Sequence, residues 1–144
     1  MVINMSKKQR RKSLKQPKGI IIKGHFNMES AKMYLVTAIL MFHIVPLFFV
    51  FMGENGRIIL AQLFMYTFNP IFLFAVGFFY AIRNGFDGKF PLLLTIISTI
   101  SIVMYYDFET VYNVVLGFSV SLCVYAVFAY LSSLLGGFAK RFLL

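Results

Sequence analysis

Residues 33–52 read MYLVTAILMFHIVPLFFVFM, twenty positions without an Asp, Glu, Lys or Arg. The hydrocarbon core of a bilayer is about 30 Å thick and a helix rises about 1.5 Å per residue, so a spanning helix needs roughly 20 mostly apolar residues, and about 17 at the least. The stretch meets that length. Three more uncharged stretches follow at 58–82, 90–106 and 111–135, the third only just long enough. The expected fold is all-α, an integral membrane four-helix bundle. The connections at 53–57, 83–89 and 107–110 are too short to hold a second domain. The chain therefore divides into an arm, 1–32, and a four-span domain, 33–144.

Composition points the same way. With 60% hydrophobic residues, 13% charged residues and no Trp in 144 positions, the chain lies far from the average soluble domain, where about a quarter of residues are charged. Eighteen Phe, in a chain also rich in Ile, Lys and Asn, fit the codon usage of an AT-rich bacterial genome better than an aromatic function.

Nine of the fourteen basic residues precede the first span: Lys7, Lys8, Arg10, Arg11, Lys12, Lys15, Lys18, Lys23 and Lys32. Lys and Arg beside a span resist translocation, which places the N-terminus in the cytoplasm of a cell whose plasma membrane the chain crosses. The first loop, with Glu54 and Arg57, is then outside, and the second, with Arg83, Asp87 and Lys89, inside. The third, with Asp107 and Glu109, is outside, and the C-terminus returns inside with Lys140 and Arg141. The first apolar run is longer than the 7–15 residues or so of a signal-peptide core, so it is expected to stay in the mature protein.

From Lys7 to Lys18, seven of twelve residues are basic, the composition of a disordered, solvated arm. It fixes topology, and it can adhere to anionic lipid at about 1 kcal/mol per basic residue. Specific nucleic-acid binding is not expected, because no aromatic residues interleave with the charges. The tract Lys23 to Asn27 can be encoded by a purine-rich, ribosome-binding stretch, which makes Met28 an alternative start.

Polar residues at membrane depth are functional hypotheses because they are costly there. His43 lies near the middle of the first span, three residues before Pro46, and Asn69 and Pro70 lie near the middle of the second. Proline removes a backbone donor and clashes with the carbonyl four residues earlier. Kinks are expected at Pro46 and Pro70, exposing the carbonyls of Phe42 and Tyr66. With Ser98 and Thr99 of the third span, His43 and Asn69 make a candidate midplane polar site. The competing reading is packing, since such side chains form interhelical hydrogen bonds of about 0.6 kcal/mol on average in membrane bundles. No metal site is expected, because His43 and the single cysteine, Cys123, do not complete a ligand set. No cofactor is expected either.

Small residues recur every four positions: Gly77, Ala81 and Gly85 on the second span, and Asn113, Gly117 and Ser121, then Ala129, Ser133 and Gly137, on the fourth. Such spacing lets helix backbones approach closely. Gly77, Ala81, Gly117 and Ser121 are the packing positions expected to matter most, within the chain or against a second copy.

For an enzyme the chain offers no paired carboxylate in the membrane, no nucleophile beside a base and no phosphate loop, so no enzymatic activity is expected. Its size and span count are similar to those of small multidrug transporters, which are dimers of four-helix subunits. That family's glutamate in the first span has no counterpart here, where the only ionisable residue is His43, and no residue role carries over. Two functions follow. The first is an accessory, scaffold or regulatory membrane protein acting through helix packing, as a homo-oligomer or with a membrane partner. The alternative is an oligomeric transporter or channel subunit for a small solute or ion, using His43 and Asn69.

Overall fold

The structure, a computed structural model, describes residues 23–105 and 111–143. These residues are almost entirely helical, with no strand among them. Four helices follow in order: α1 (Met28–Leu47), α2 (Glu54–Asn84), α3 (Lys89–Tyr105) and α4 (Val111–Leu143). Helices α1 and α2 are long and apolar enough to cross a membrane, as is the 29-residue stretch Val115–Leu143 of α4. Helix α3, at 17 residues, reaches only about 25 Å. The expected third loop, 107–110, and most of the basic arm lie outside the described residues.

The interior has an apolar core that includes Phe42, Leu73, Tyr80, Phe90, Leu94 and Ile102, with several polar residues buried beside it, and the exterior is apolar as well, unlike that of a water-soluble domain. Asn69, Thr95, Ser98, Thr99, Ser101, Ser121, Ser132 and Ser133 are buried, while Phe48, Tyr66, Ile71, Phe79, Val115 and Val127 point outward, and Phe51 is 86% exposed. Water would penalise that surface; hydrocarbon does not.

Helix boundaries follow capping chemistry rather than hydropathy. Asn27 caps α1, its side-chain oxygen accepting from the Glu29 amide at 2.9 Å. That satisfies an otherwise orphaned N–H. The helix thus starts at Met28, five residues before the apolar stretch, and takes in the last part of the arm. At its far end it tightens into a 3₁₀ turn, Phe48–Phe51, and Met52 is extended. Helix α2 ends at Gly85, whose φ of 88° is a left-handed conformation that side chains resist. Gly85 is therefore a helix stop, where its four-residue spacing from Ala81 made it a packing candidate. Asp87 then accepts from the Lys89 amide at 2.8 Å and starts α3.

Contacts between helices fix their register. Ser30 donates to the Asn84 side chain at 2.9 Å, Tyr34 meets Tyr80 edge-on with ring centres 5.6 Å apart, and Phe42 meets Phe72 at 5.5 Å. Helices α1 and α2 are therefore antiparallel, and their prolines lie at similar depth. Helices α2 and α4 are parallel: Asn69 lies beside Tyr125, Gly77 beside Ser132, and Ala81 beside Gly136. This pair forms the most extensive interface, followed by α3 with α4. A Cβ on Gly77 would collide with the Ser132 hydroxyl and come within 3.2 Å of the Ala129 carbonyl and the Ser133 hydroxyl. One on Gly136 would collide with the Phe78 carbonyl and reach 2.8 Å from the Ala81 Cβ. The two backbones therefore run close together over two turns.

At the end shared by the start of α1 and the close of α2, the chain is knit tightly. The Gly24 amide donates to the Phe86 carbonyl at 2.8 Å, and a Cβ on Gly24 would collide with the Asn84 carbonyl. Tyr80 stacks on Phe90 with ring centres 3.6 Å apart, and the Tyr130 hydroxyl donates to the Gly88 carbonyl at 3.1 Å.

Candidate functional site

Each of the two interior prolines is preceded by a single π turn, Leu40–Ile44 before Pro46 and Phe64–Phe68 before Pro70. A π turn admits one extra residue into the helix and is a common answer to a missing bond in the ladder. In α2 the Asn69 amide bonds back five residues to the Phe64 carbonyl, and Pro70 has no N–H to offer the next one. The Met65 carbonyl accepts from the Tyr125 hydroxyl of α4 at 3.1 Å. Asn69 completes the group, its side-chain amide donating to the same hydroxyl at 3.1 Å. Asn69 and Tyr125 are each only 2% exposed.

The Tyr125 hydroxyl is engaged on both sides. A phenolic oxygen that donates once and accepts once leaves little capacity for a ligand. An unsatisfied carbonyl in hydrocarbon is costly, so Tyr125 binds α4 to α2 where α2 is weakest. Proline alone points to Tyr66 as the freed carbonyl; the π turn shifts the capped one to Met65. Tyr66 itself points outward, and beside it a small cleft of about 50 Å³ is lined by Met65, Pro70, Val120, Ser121, Val124 and Tyr125.

The other candidate residues lie at comparable depth but are engaged differently. Ser98 and Thr99 are buried and donate to the carbonyl of Thr95 in their own helix, at 3.0 and 2.7 Å. Thr95 and Ser101 donate likewise to Pro91 and Ser98, at 2.8 and 2.6 Å. This back-bonding lets α3 carry hydroxyls into the interior without partners on other helices. His43 is half-buried within the π turn of α1. None of His43, Asn69, Ser98 and Thr99 lines the cleft beside Pro70, so the four proposed midplane residues do not share that cavity.

Among the packing candidates, Gly77 and Ala81 lie on the α2–α4 seam, Ser121 lines the cleft, and Gly117 is half-buried. The side chain of Asn113 lies outside the described residues. Cys123 is exposed on α4. Among the described residues no three His, Cys, Asp or Glu are grouped to hold a metal ion. Tyr125 was not singled out from sequence. Its signal was a phenol near the middle of an uncharged span, whose hydroxyl has to find a partner away from water.

No protein-family model matches the chain, and neither a curated protein nor a solved structure matches it.

Proposed function

We propose that the chain is a small multi-pass protein of the bacterial plasma membrane, with four spans and both ends in the cytoplasm, and that it acts as an accessory, scaffold or regulatory subunit through helix packing. The observation that carries this reading is the hydrogen-bonded group of Asn69, Tyr125 and the Met65 carbonyl. The polar side chains best placed for a solute are spent on holding α2 to α4. The hydroxyls of α3 are turned onto its own backbone, which also favours a structural role. Crosslinking in the native membrane, followed by mild extraction and mass measurement, tests it. A different protein recovered in stoichiometric amount is the expected result; homo-oligomers alone count against it.

A second reading has one observation in its favour. His43 sits in a π turn of α1 at about the depth of the π turn in α2, and broken helices at the midplane are how many transporters build substrate sites. If the chain is an oligomeric transporter, His43→Ala abolishes flux in proteoliposomes while leaving the fold intact. Unchanged flux removes that reading.

A further inference from the structure

The two halves of α2 differ in what covers them. Seven residues are buried between Asn69 and Asn84, whereas none is between Glu54 and Leu63. Positions 55, 59, 62 and 66 are spaced by four, three and four, so Asn55, Ile59, Gln62 and Tyr66 share one face of the helix. The buried Phe64 lies on the opposite face, toward the bundle. Ile59 and Tyr66 are 65% and 71% exposed, and Asn55 and Gln62 are exposed as well. None of the three polar side chains on this face hydrogen-bonds another described residue.

Depth makes that exposure costly. Helix α2 has 31 residues, about 46 Å at the helical rise, against a hydrocarbon core of about 30 Å. Centred in the core, it overhangs by about 8 Å at each end. Asn55 then stands among headgroups, while Gln62, about 12 Å from Glu54, lies inside the hydrocarbon and Tyr66 deeper still. A carboxamide there has no water to bond, and it gains from a polar partner on another helix. Its own bundle supplies none among the described residues.

We propose that this face is the contact between two copies of the chain, paired about a two-fold axis along the membrane normal with Gln62 opposite Gln62. A carboxamide both donates and accepts, so it is complementary to itself, and a two-fold contact sets each patch against the same patch. Copies inserted with one topology hold Gln62 at one depth; a different protein matches it only by carrying its own polar group there. Ile59 and Tyr66 pack beside the amide pair, and Asn55, seven residues before Gln62, repeats the pairing among the headgroups. The different protein expected of an accessory subunit would bind the pair, so the contact stands whether or not that reading does.

Energy transfer between donor- and acceptor-labelled full chains, in vesicles of phosphatidylcholine and phosphatidylglycerol diluted stepwise with lipid, tests the proposal. The wild type should show transfer that falls with dilution and yields a dissociation constant. Gln62→Leu should weaken association by about fivefold without loss of helicity by circular dichroism, and Gln62→Asn, which keeps a carboxamide, by less. In a Cys123→Ser background, Ile59→Cys should oxidise to a disulfide-linked dimer, whereas Ile100→Cys, on the exposed side of α3, should not. Absence of transfer in the wild type overturns the proposal, as does equal association of Gln62→Leu and wild type, or equal crosslinking at Ile59→Cys and Ile100→Cys. An Ile59→Cys chain that crosslinks in the native membrane only to a different protein also overturns it, by assigning the face to that partner.

Discussion

Pro46 and Pro70 interrupt their helices in the same local way and with opposite results. Both follow a single π turn. Beyond Pro46 the chain keeps α-helical geometry only through Leu47 before the 3₁₀ turn Phe48–Phe51 ends the helix among exposed phenyl rings. Beyond Pro70, α2 runs on to Asn84, buried along one side against α4. What separates them is the neighbour: at Pro70 a buried tyrosine from α4 takes up the Met65 carbonyl, and a small-residue seam two turns further on presses the two helices together. A proline in a spanning helix is thus a bend that a neighbouring helix can secure, and where the helix is near its end, the bend becomes a place to finish.

The largest effect should come from breaking the seam that delivers Tyr125 to α2. Gly77→Leu forces bulk onto the Ser132 hydroxyl and the Ala129 backbone, and should cost about 3 kcal/mol, the upper range for overpacking. Reversible unfolding in mixed micelles measures it; wild-type stability would mean that α4 does not lie on this face.

Removing the hydroxyl alone comes next. Tyr125→Phe leaves the Met65 carbonyl and the Asn69 amide without their shared partner, a loss of about 1–2 kcal/mol. Made in a Pro70→Ala background, where the helix regains a backbone donor, the same change should cost clearly less. A double-mutant cycle without coupling would show that Tyr125 does not serve the kink.

The contrast extends to the two ends of α1, of which the first is tied down by Asn27 and Gly24. Asn27→Ala should cost about 1 kcal/mol, and a chain begun at Met28 should lose at least as much, because it lacks the cap and the contact of Gly24 with Phe86. Thermal melts of the two forms give the comparison, and equal midpoints would mean that residues 23–27 contribute nothing to α1.

Pro46→Ala should have the smallest effect, under about 0.5 kcal/mol, because few buried contacts lie beyond it to be rearranged. Its readout is local: faster amide hydrogen exchange across Phe48–Phe51 in the wild type than in the variant. Identical exchange would mean that Pro46 is not what frays this end.

Much of this was legible in the order of residues. Four uncharged runs separated by short charged connections carry the helical class, and Pro46 and Pro70 mark where π turns interrupt the α-helical ladder. Other features were not legible. Hydropathy placed the start of the first span at Met33, because a cap such as Asn27 is polar and invisible to an apolar window. It also grouped His43, Asn69, Ser98 and Thr99 by depth alone, and depth does not say toward which helix a side chain turns. The spacing of Gly77, Ala81 and Gly85 treated the three alike, although the backbone of Gly85 ends the helix.

The sequence by itself determined that the described chain would be helical, with stretches long and apolar enough to cross a membrane, because length and hydrophobicity act residue by residue along one chain. Only the tertiary structure decided which carbonyl a kink exposes, that Tyr125 caps it, and that Lys140 joins Arg83 at the corner of α2 and α4. Those outcomes depend on the register between parallel helices, with Asn69 beside Tyr125, Gly77 beside Ser132 and Arg83 beside Lys140. Register is set by how closely two backbones can approach, a property of the pair that neither helix carries alone.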